Sequence, residues 1–525
     1  MTASLSFNLW TEPWIRVIRR DGRDDEIGIG TCLTDAHELA ALSDPSPLVA
    51  GGTHRLLTAI LQAIHQPQNI GEIAALLRKG KFDTDRLQAF GQTHAGRFDL
   101  FDPQAPFLQT GDVPLHSNHN LQPVARLFAE IPVATERIHF THVTDDRHRL
   151  CPACCARGLV TVPAFASSGG AGIRPSINGV PPIYVLPAGD TLFETLTLSL
   201  VSSDYLPPGA DPKRADQAIW NSDPPVVGKN CEVSAVGYLE SLTFPARRMR
   251  LYPQAGSVFC TNCGRQTDIF VATMLFEMGH WLSKQTGVWE DPFVAFRKPS
   301  KQSKNADLKP IRPEEGKAIW REYAVLLLDE DAAGLRPRIV RQLARLIDRG
   351  TLTGRQRLRF RCIGIRTDGK AKIFEWLDEA LEAPPELLQD PDAAAYVGEA
   401  LRQSHEVAAI LKSTFERHFR PERGTGGSNE QKFIRFKTVL ERLIADYWRR
   451  LGLHFRQFVN DLSDVWQRDD TARTWVILII KEAQACFKTA LDQTGDRADA
   501  LRIRVEAQAE CERQLHARRK EWLNE

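Results

Sequence analysis

Residues 140–179 read FTHVTDDRHRLCPACCARGLVTVPAFASSGGAGIRPSING. A polar stretch runs into Cys151-Pro152-Ala153-Cys154, and the glycine-rich turn Ser167-Ser168-Gly169-Gly170-Ala171-Gly172 follows. A second pair, Cys260-Thr261-Asn262-Cys263, lies more than a hundred residues downstream. Each C-x-x-C has the knuckle spacing that lets two thiolates reach one tetrahedral zinc. Two such pairs predict a structural Zn2+ held by Cys151, Cys154, Cys260 and Cys263, fastening two distant loops to one point. Free buried thiols and a redox pair are the alternatives. Cys155 adjoins the first pair, and His139, His142 and His148 could also donate nitrogen. A site closed by four cysteines leaves no open coordination position, so it is structural and not catalytic.

The chain has 525 residues, too many for one ordinary core, so more than one domain is expected. Lys+Arg 67 against Asp+Glu 66 leaves a net charge of +1. Any nucleic-acid contact must therefore come from local patches. The start lacks a secretory signal, and the longest apolar runs, Tyr323 to Leu328 and Trp475 to Ile480, are too short to span a bilayer. A soluble, cytoplasmic protein with no membrane partner is expected. Ten cysteines in a reducing compartment point to metal or redox chemistry and away from a disulfide framework.

Taken in order, Phe7 to Val17 is aromatic and β-rich, and Glu26 to Ile29 returns as a second strand. His54 to Leu77 has helical periodicity. Pro182 to Leu186 and Leu192 to Ser202 read as strands or buried segments, and Tyr238 to Leu251 as strand. Ile269 to Leu282 reads as helix. Arg355 to Ile365 alternates Arg with apolar residues, as a strand with one basic face would, and enters an Asp368-Gly369 turn. Residues 297–317 form a polar, basic stretch read as a solvated loop, with a nucleic-acid contact as the alternative. Near Ala380 the character turns helical. Tyr396 to His418 is one helix. Phe433, Phe436, Leu440, Leu443, Tyr447, Leu451, Phe455 and Phe458 form a second stripe. Trp475, Ile479, Ala483, Cys486 and Ala490 form a third, and Leu501, Val505, Leu515 and Trp522 a fourth. The expected fold class is α+β: a large mixed α/β domain with a four-cysteine zinc site over 1–378, then a four-helix bundle over 379–525.

The glycine-rich turn lacks the Lys-Ser/Thr of a P-loop and the Rossmann fingerprint. It reads as a surface turn, or as backbone that comes close to a nucleic-acid groove. No Ser/His/Asp arrangement stands out, and Asp329, Glu330 and Asp331 have no partner motif.

Phe7-Asn8-Leu9 with Glu12-Pro13-Trp14-Ile15, then Ala105-Pro106-Phe107-Leu108-Gln109-Thr110, the two cysteine pairs, the glycine loop and the late helices occur in this order. The chain resembles, over essentially its whole length, the CasA family, large subunits of type I-E Cascade complexes in CRISPR interference. The resemblance implies a non-catalytic subunit that finds duplex DNA by its protospacer-adjacent motif (PAM) and helps to start unwinding and R-loop formation. It implies as partners other Cascade subunits, the 5′ handle of the CRISPR guide RNA, double-stranded target DNA and a recruited helicase–nuclease.

Residue by residue, the resemblance implies that Phe140 and His142 lie in the loop meeting RNA and subunits. Gly169, Gly170, Ala171 and Gly172 match the DNA-contacting glycine loop. Lys284 is a loose match for a DNA-contacting lysine, and the strand-separating wedge falls near Asp368, Gly369, Lys370 and Ala371. His142 stands where the compared member has Asn, and Asp368-Gly369-Lys370 stands where it has Gln. A zinc-dependent nuclease or hydrolase is one rival, requiring an open metal position. A purely structural scaffold is the other. It predicts that charge reversal at Arg247, Arg248 or Lys370 leaves DNA affinity unchanged.

Overall fold

The computed structural model describes residues 5–111, 121–131, 148–168, 172–222, 231–299, 308–328, 334–352, 357–368, 372–421, 427–494 and 498–524. They form two compact units, Met1–Glu315 with Glu330–Leu381, and Gly316–Asp329 with Glu382–Glu525.

The first unit opens with β1 (Ile15–Arg19), β2 (Asp24–Ile27), the short helix α1 (Ile29–Thr34) and β3 (Leu39–Leu42). The strands pair antiparallel in the order β2-β1-β3, with Trp14, Ile15 and Val17 buried. Helix α2 (Pro47–His65) starts with Pro at its first position, where the missing N–H costs nothing. It is buried nearly all round and packs on neighbours described below, as expected of a core helix. Helices α3 (Ile70–Lys79) and α4 (Thr84–His94) are capped by Asn69 and Asp83, whose side chains accept from free first-turn N–H groups.

Further along come β4 (Leu121–Pro123), α5 (Pro152–Leu159), α6 (Val162–Phe165), β5 (Tyr184–Ala188), α7 (Leu192–Leu198), β6 (Cys231–Val233) and α8 (Tyr238–Leu242). The long hairpin of β7 (Arg247–Phe259) and β8 (Gln266–Met278) follows, then β9 (His280–Leu282), β10 (Phe296–Arg297), β11 (Lys309–Pro310) and β12 (Gly334–Leu335). Helix α9 (Arg338–Asp348), β13 (Leu358–Thr367) and β14 (Ile373–Ala383) complete the mixed region. The remaining sheets are β4-β8-β7, β14-β13-β5, β11-β10-β12 and the parallel pair β6-β9, and α2 touches α6, α7, α8 and β13.

A Cβ on Gly52 would lie 2.3 Å from the Val160 carbonyl, so glycine lets α2 reach the end of α5. Nearby, the guanidinium of Arg55 meets Asp291 at 2.7 Å with both side chains essentially buried. Asn178 donates to the same carboxylate at 3.2 Å and to the Tyr184 hydroxyl at 2.9 Å. Burial alone would lower the Arg55 pKa, but the Asp291 carboxylate reverses this and raises it.

The second unit holds four long helices, α10 (Pro391–Phe419), α11 (Gly427–Asp461), α12 (Arg468–Leu491) and α13 (Ala498–Leu523). Helices α10 and α12 each pack on the other three. Segment Gly316–Asp329, numbered within the first expected domain, belongs to this unit. Its Trp320 lies 4.7 Å from the Phe455 ring, and Gly452 leaves room for the indole.

The structure corrects several local expectations. Ile269 to Leu282 is strand, not helix. Register shifts in the β7–β8 hairpin coil the strand, so Phe270, Val271, Met274, Leu275 and Met278 are buried at a nearly helical spacing. Leu192 to Leu198 is helix because Thr191 caps it, its hydroxyl accepting from the Glu194 N–H at 3.2 Å. Tyr238 to Leu242 is also helix, and strand begins only at Arg247. In the second unit, Phe433, Leu501 and Val505 are exposed rather than core. Leu515 is core as expected, and Ala507, Cys511 and Leu523 complete the interior face of α13.

Candidate functional site

The two cysteine pairs meet because each sits at a backbone turn docked on the other. Cys151 caps the N-terminus of α5, which places Cys154 in its first turn. Cys260 and Cys263 occupy the tip of the β7–β8 hairpin, closed by Cys260 N–H donating to Arg265 O at 2.8 Å. Gly264 takes φ +71° there, a conformation that favours glycine. Leu150 exchanges backbone hydrogen bonds with Val271, both 2.9 Å, and the Thr261 N–H donates to Arg149 O at 2.9 Å.

The four Sγ atoms lie within 4.8 Å of one another, and Cys151 Sγ to Cys263 Sγ is 3.8 Å. Tetrahedral Zn–S bonds of about 2.3 Å require S···S separations of about 3.8 Å. The donor set therefore fits one tetrahedral metal ion. Cys151, Cys154 and Cys260 are buried, and Cys263 is partly exposed. Hydrogen bonding from Cys151 and Cys154 holds the Cys260 thiol below its ordinary range, while contacts with Cys151 and Cys260 raise Cys154. Cys155 does not join the cluster. It is fully buried, its thiol is pushed well up by desolvation, and its Sγ lies 4.0 Å from Leu150 O. His148 approaches Thr261 and is not in the cluster, and His139 lies outside the described residues.

A shell that sequence inspection missed surrounds the cysteines. Buried Arg157 donates to the Trp14 carbonyl at 2.8 Å and approaches Cys154 Sγ at 3.6 Å. It also pairs with Glu26 at 3.0 Å. Arg265, two residues past Cys263, donates two bonds to the same Glu26, both 2.9 Å. Glu26 thus ties the first cysteine loop to the second. Asp44, close to Arg157, has its carboxyl pKa raised by burial. No local motif could reveal this, since Glu26 and Arg265 are 239 positions apart.

The glycine loop is held at both ends by one side chain. Arg247 is 3% exposed and donates to the Arg174 carbonyl at 2.7 Å and to the Ser167 carbonyl at 2.5 Å. Burial, with Arg126 nearby, pulls its pKa down. Gly172 has φ +85° and open space where a Cβ would be. Gly169, Gly170 and Ala171 lie outside the described residues, as do Phe140 and His142. Arg247 is spent on loop carbonyls, and Arg248 pairs with Glu277 at 2.9 Å. Arg250 donates to the Asp102 carbonyl at 3.1 Å.

Strands β13 and β14 are neighbours joined by residues 368–372. Asp368 closes the turn, its N–H donating to Lys372 O at 3.1 Å and its carboxylate accepting from Lys372 N–H at 3.0 Å. Gly369, Lys370 and Ala371 lie outside the described residues. The basic face of β13 is neutralised in place: Arg361 pairs with Asp378 at 2.8 Å, Arg366 with Glu375 at 2.7 Å, and Arg359 with Asp190. Lys284 is exposed, in the short turn after β9. The N-terminal and Ala105–Thr110 motifs are packing devices. The Trp14 indole donates to Leu9 O at 2.9 Å, and Gln109 accepts from Leu251 N–H at 2.7 Å. No described helix is long and apolar enough to cross a membrane.

The fold and site define a mixed α/β protein with a four-cysteine cluster and a helical second unit. The family model for CRISPR-associated protein Cse1 matches residues 8–516, so the chain belongs to the Cse1 family. A relative described as CRISPR-associated protein CasA/Cse1, from Thermus thermophilus, is 30% identical over 473 residues, 86% of each chain. The crystal structure of CasA from Thermus thermophilus superposes with TM-score 0.77 at 26% identity, over 98% of this chain and 100% of that one. A chain of a CRISPR RNA-guided surveillance complex superposes with TM-score 0.71 at 18% identity, over 96% and 99%.

Proposed function

We propose that this chain is the non-catalytic large subunit of a type I-E CRISPR surveillance complex. It recognises a PAM in duplex DNA through the glycine loop, Gly169 to Gly172, and helps to start unwinding at the turn Asp368 to Ala371. Phe140 and His142 meet the guide RNA 5′ handle and neighbouring subunits, and Lys284 contributes to DNA binding. The four-helix bundle of the second unit faces partner proteins, and a separate helicase–nuclease, recruited in the cytoplasm, cuts the DNA.

The observation that carries this reading is the double clamp of Arg247 on Ser167 and Arg174, which fixes both ends of an otherwise side-chain-poor loop. A side-chain-poor backbone suits the minor groove, whose edges separate mainly A·T from G·C, so several motifs would be tolerated. Sequence recognition then falls to guide pairing, because R-loop exchange is nearly balanced.

Cys151, Cys154, Cys260 and Cys263 would hold Zn2+, which when bound supplies a rigid crosslink and no reaction chemistry. Four sulfur donors leave no open position, which disfavours the hydrolase reading. The test is duplex binding by the reconstituted complex across a library of PAM sequences. Gly170→Asp should abolish the preference among motifs, and unchanged discrimination by that variant would refute the loop assignment.

A further inference from the structure

A cleft of about 290 Å³ is formed by the end of α2 with residues 66–68, the segment 201–216 and the start of α8. None of its lining residues belongs to the glycine loop, the wedge turn or the cysteine cluster. Its walls are preformed. Pro67, Pro207 and Pro212 restrict the backbone, and Gln62 fixes Val201 through both ends of its amide. That amide donates to the Val201 carbonyl at 2.8 Å and accepts from the Val201 N–H at 3.0 Å. Two carboxylates, Asp211 and Asp216, line the cleft, and no Lys, Arg or His does. Each spends one oxygen inside the fold: Asp211 accepts from the Lys213 N–H at 2.9 Å, and Asp216 from the Gln66 amide at 3.2 Å. Neither forms an ion pair among the described residues, and the nearby Arg214 is taken by Glu240 at 2.6 Å. Tyr238 also lines the cleft; it is 4% exposed, and its buried hydroxyl has no hydrogen-bond partner among the described residues.

These features select a ligand class. An anion would meet two carboxylates and the negative end of the α2 dipole. A bare metal ion would lack a third ligand, since the four cysteines are the only group of three or more metal-ligating side chains among the described residues. A neutral apolar ligand would leave both carboxylates uncompensated and the phenol unsatisfied. What fits is a cation with N–H donors and an apolar body to lie along Val201, Leu206 and Leu239. We infer that the cleft binds a small aliphatic amine in its ammonium form, with Asp211 and Asp216 as charge partners. Two carboxylates select a diamine over a monoamine. A lysine side chain of a partner protein offers the same chemistry with a single charge. The site is independent of the DNA-recognition reading above. An occupied cleft joins α2 to the segment 201–216, so the ligand stabilises the native fold.

The test is calorimetric titration of the full-length chain with 1,4-diaminobutane at neutral pH and physiological salt, where non-specific surface pairing is screened. Saturable binding at a single site is expected. Asp216→Asn keeps an acceptor for Gln66 while removing the charge, and should weaken binding about tenfold, as for a lost charge-assisted hydrogen bond. Ala215→Trp fills the cleft from an exposed position and should abolish binding while the wild-type unfolding midpoint is retained. Nα-acetyl-lysine methylamide, the single-charge probe, should bind about tenfold more weakly than the diamine. Equal or tighter binding of that probe overturns the diamine assignment and makes a partner's lysine the occupant. Absence of saturable binding by the wild-type chain, or unchanged affinity in either variant, overturns the site itself.

Discussion

The Arg247 guanidinium reaches the carbonyl oxygen of Arg174 at 2.7 Å from a position that is itself buried. The same side chain bonds Ser167 O, so one residue of β7 spans the whole glycine turn. Placing an arginine there carries a desolvation cost, and hydrogen bonds to the carbonyls offset it.

Arg247→Met should therefore loosen the loop without removing a phosphate contact. Stability should fall by about 2 kcal/mol, the range for charge-assisted bonds lost inside a protein. In the reconstituted complex, discrimination among PAM sequences should shrink while the salt slope of duplex binding stays the same. Arg247→Lys should restore little, because a compact ammonium cannot bridge two separated carbonyls as a planar fork does. A reduced salt slope in Arg247→Met would show instead that the residue meets DNA directly.

The cysteine centre makes a separate prediction. The purified chain should carry about one zinc per molecule by elemental analysis, and Cys260→Ser or Cys154→Ser should lose it. Either change should lower the unfolding midpoint by more than about 5 °C, since the metal crosslinks two loops that are 109 positions apart at Cys151 and Cys260. Cys155→Ser is the control and should keep full metal content, because its sulfur lies outside the cluster. Retention of zinc by Cys260→Ser would remove that residue from the ligand set.

How far the sequence was legible follows from the range of each interaction. The cysteine pairs, the helical run into α2, the alternation of β13 and most stripes of α10 to α12 depend on spacings of two to four residues, and these can be read directly. Strand β8 misleads because its coiling buries residues in adjacent couples, Phe270 with Val271 and Met274 with Leu275. Helices α7 and α8 are short and set by caps, so their apolar content alone suggests strand. The Arg55–Asp291 pair and the Glu26 bridge join residues more than 200 positions apart, and nothing local in the chain marks either. The exposed start of α13 has the periodicity of a core face without being one, since Leu501 and Val505 face solvent.

Glu26 offers the sharpest stability test of that bridge. Glu26→Gln keeps shape but removes the charge shared by Arg157 and Arg265. Arg157 is almost wholly buried and keeps Asp44 only at 3.9 Å, so its charge becomes poorly compensated. A loss of about 3 kcal/mol is expected, as for a buried pair broken on one side. Arg265→Gln removes the more exposed partner and should cost about 1 kcal/mol or less. Equal costs for the two variants would mean that Glu26 does not anchor the buried arginine.

His54 supplies a pH dependence of known sign. Its ring is fully buried in α2 and lies 2.8 Å from the Ser199 hydroxyl. Desolvation, helped by Arg361 and Arg55, lowers its pKa to about 3. In the unfolded chain it takes a proton near pH 6.5, so below that value the unfolded state binds more protons than the native one. Its contribution is full above about pH 6.5 and is lost progressively as pH falls toward 3. From the difference in proton uptake, about 2 kcal/mol should be gone at pH 5. His54→Gln retains a polar partner for Ser199 but does not titrate. Denaturant melts of wild type and variant at pH 7.5 and pH 5 should show the wild type losing about 2 kcal/mol more than the variant over that interval. Parallel losses would mean that the acid sensitivity arises elsewhere in the chain.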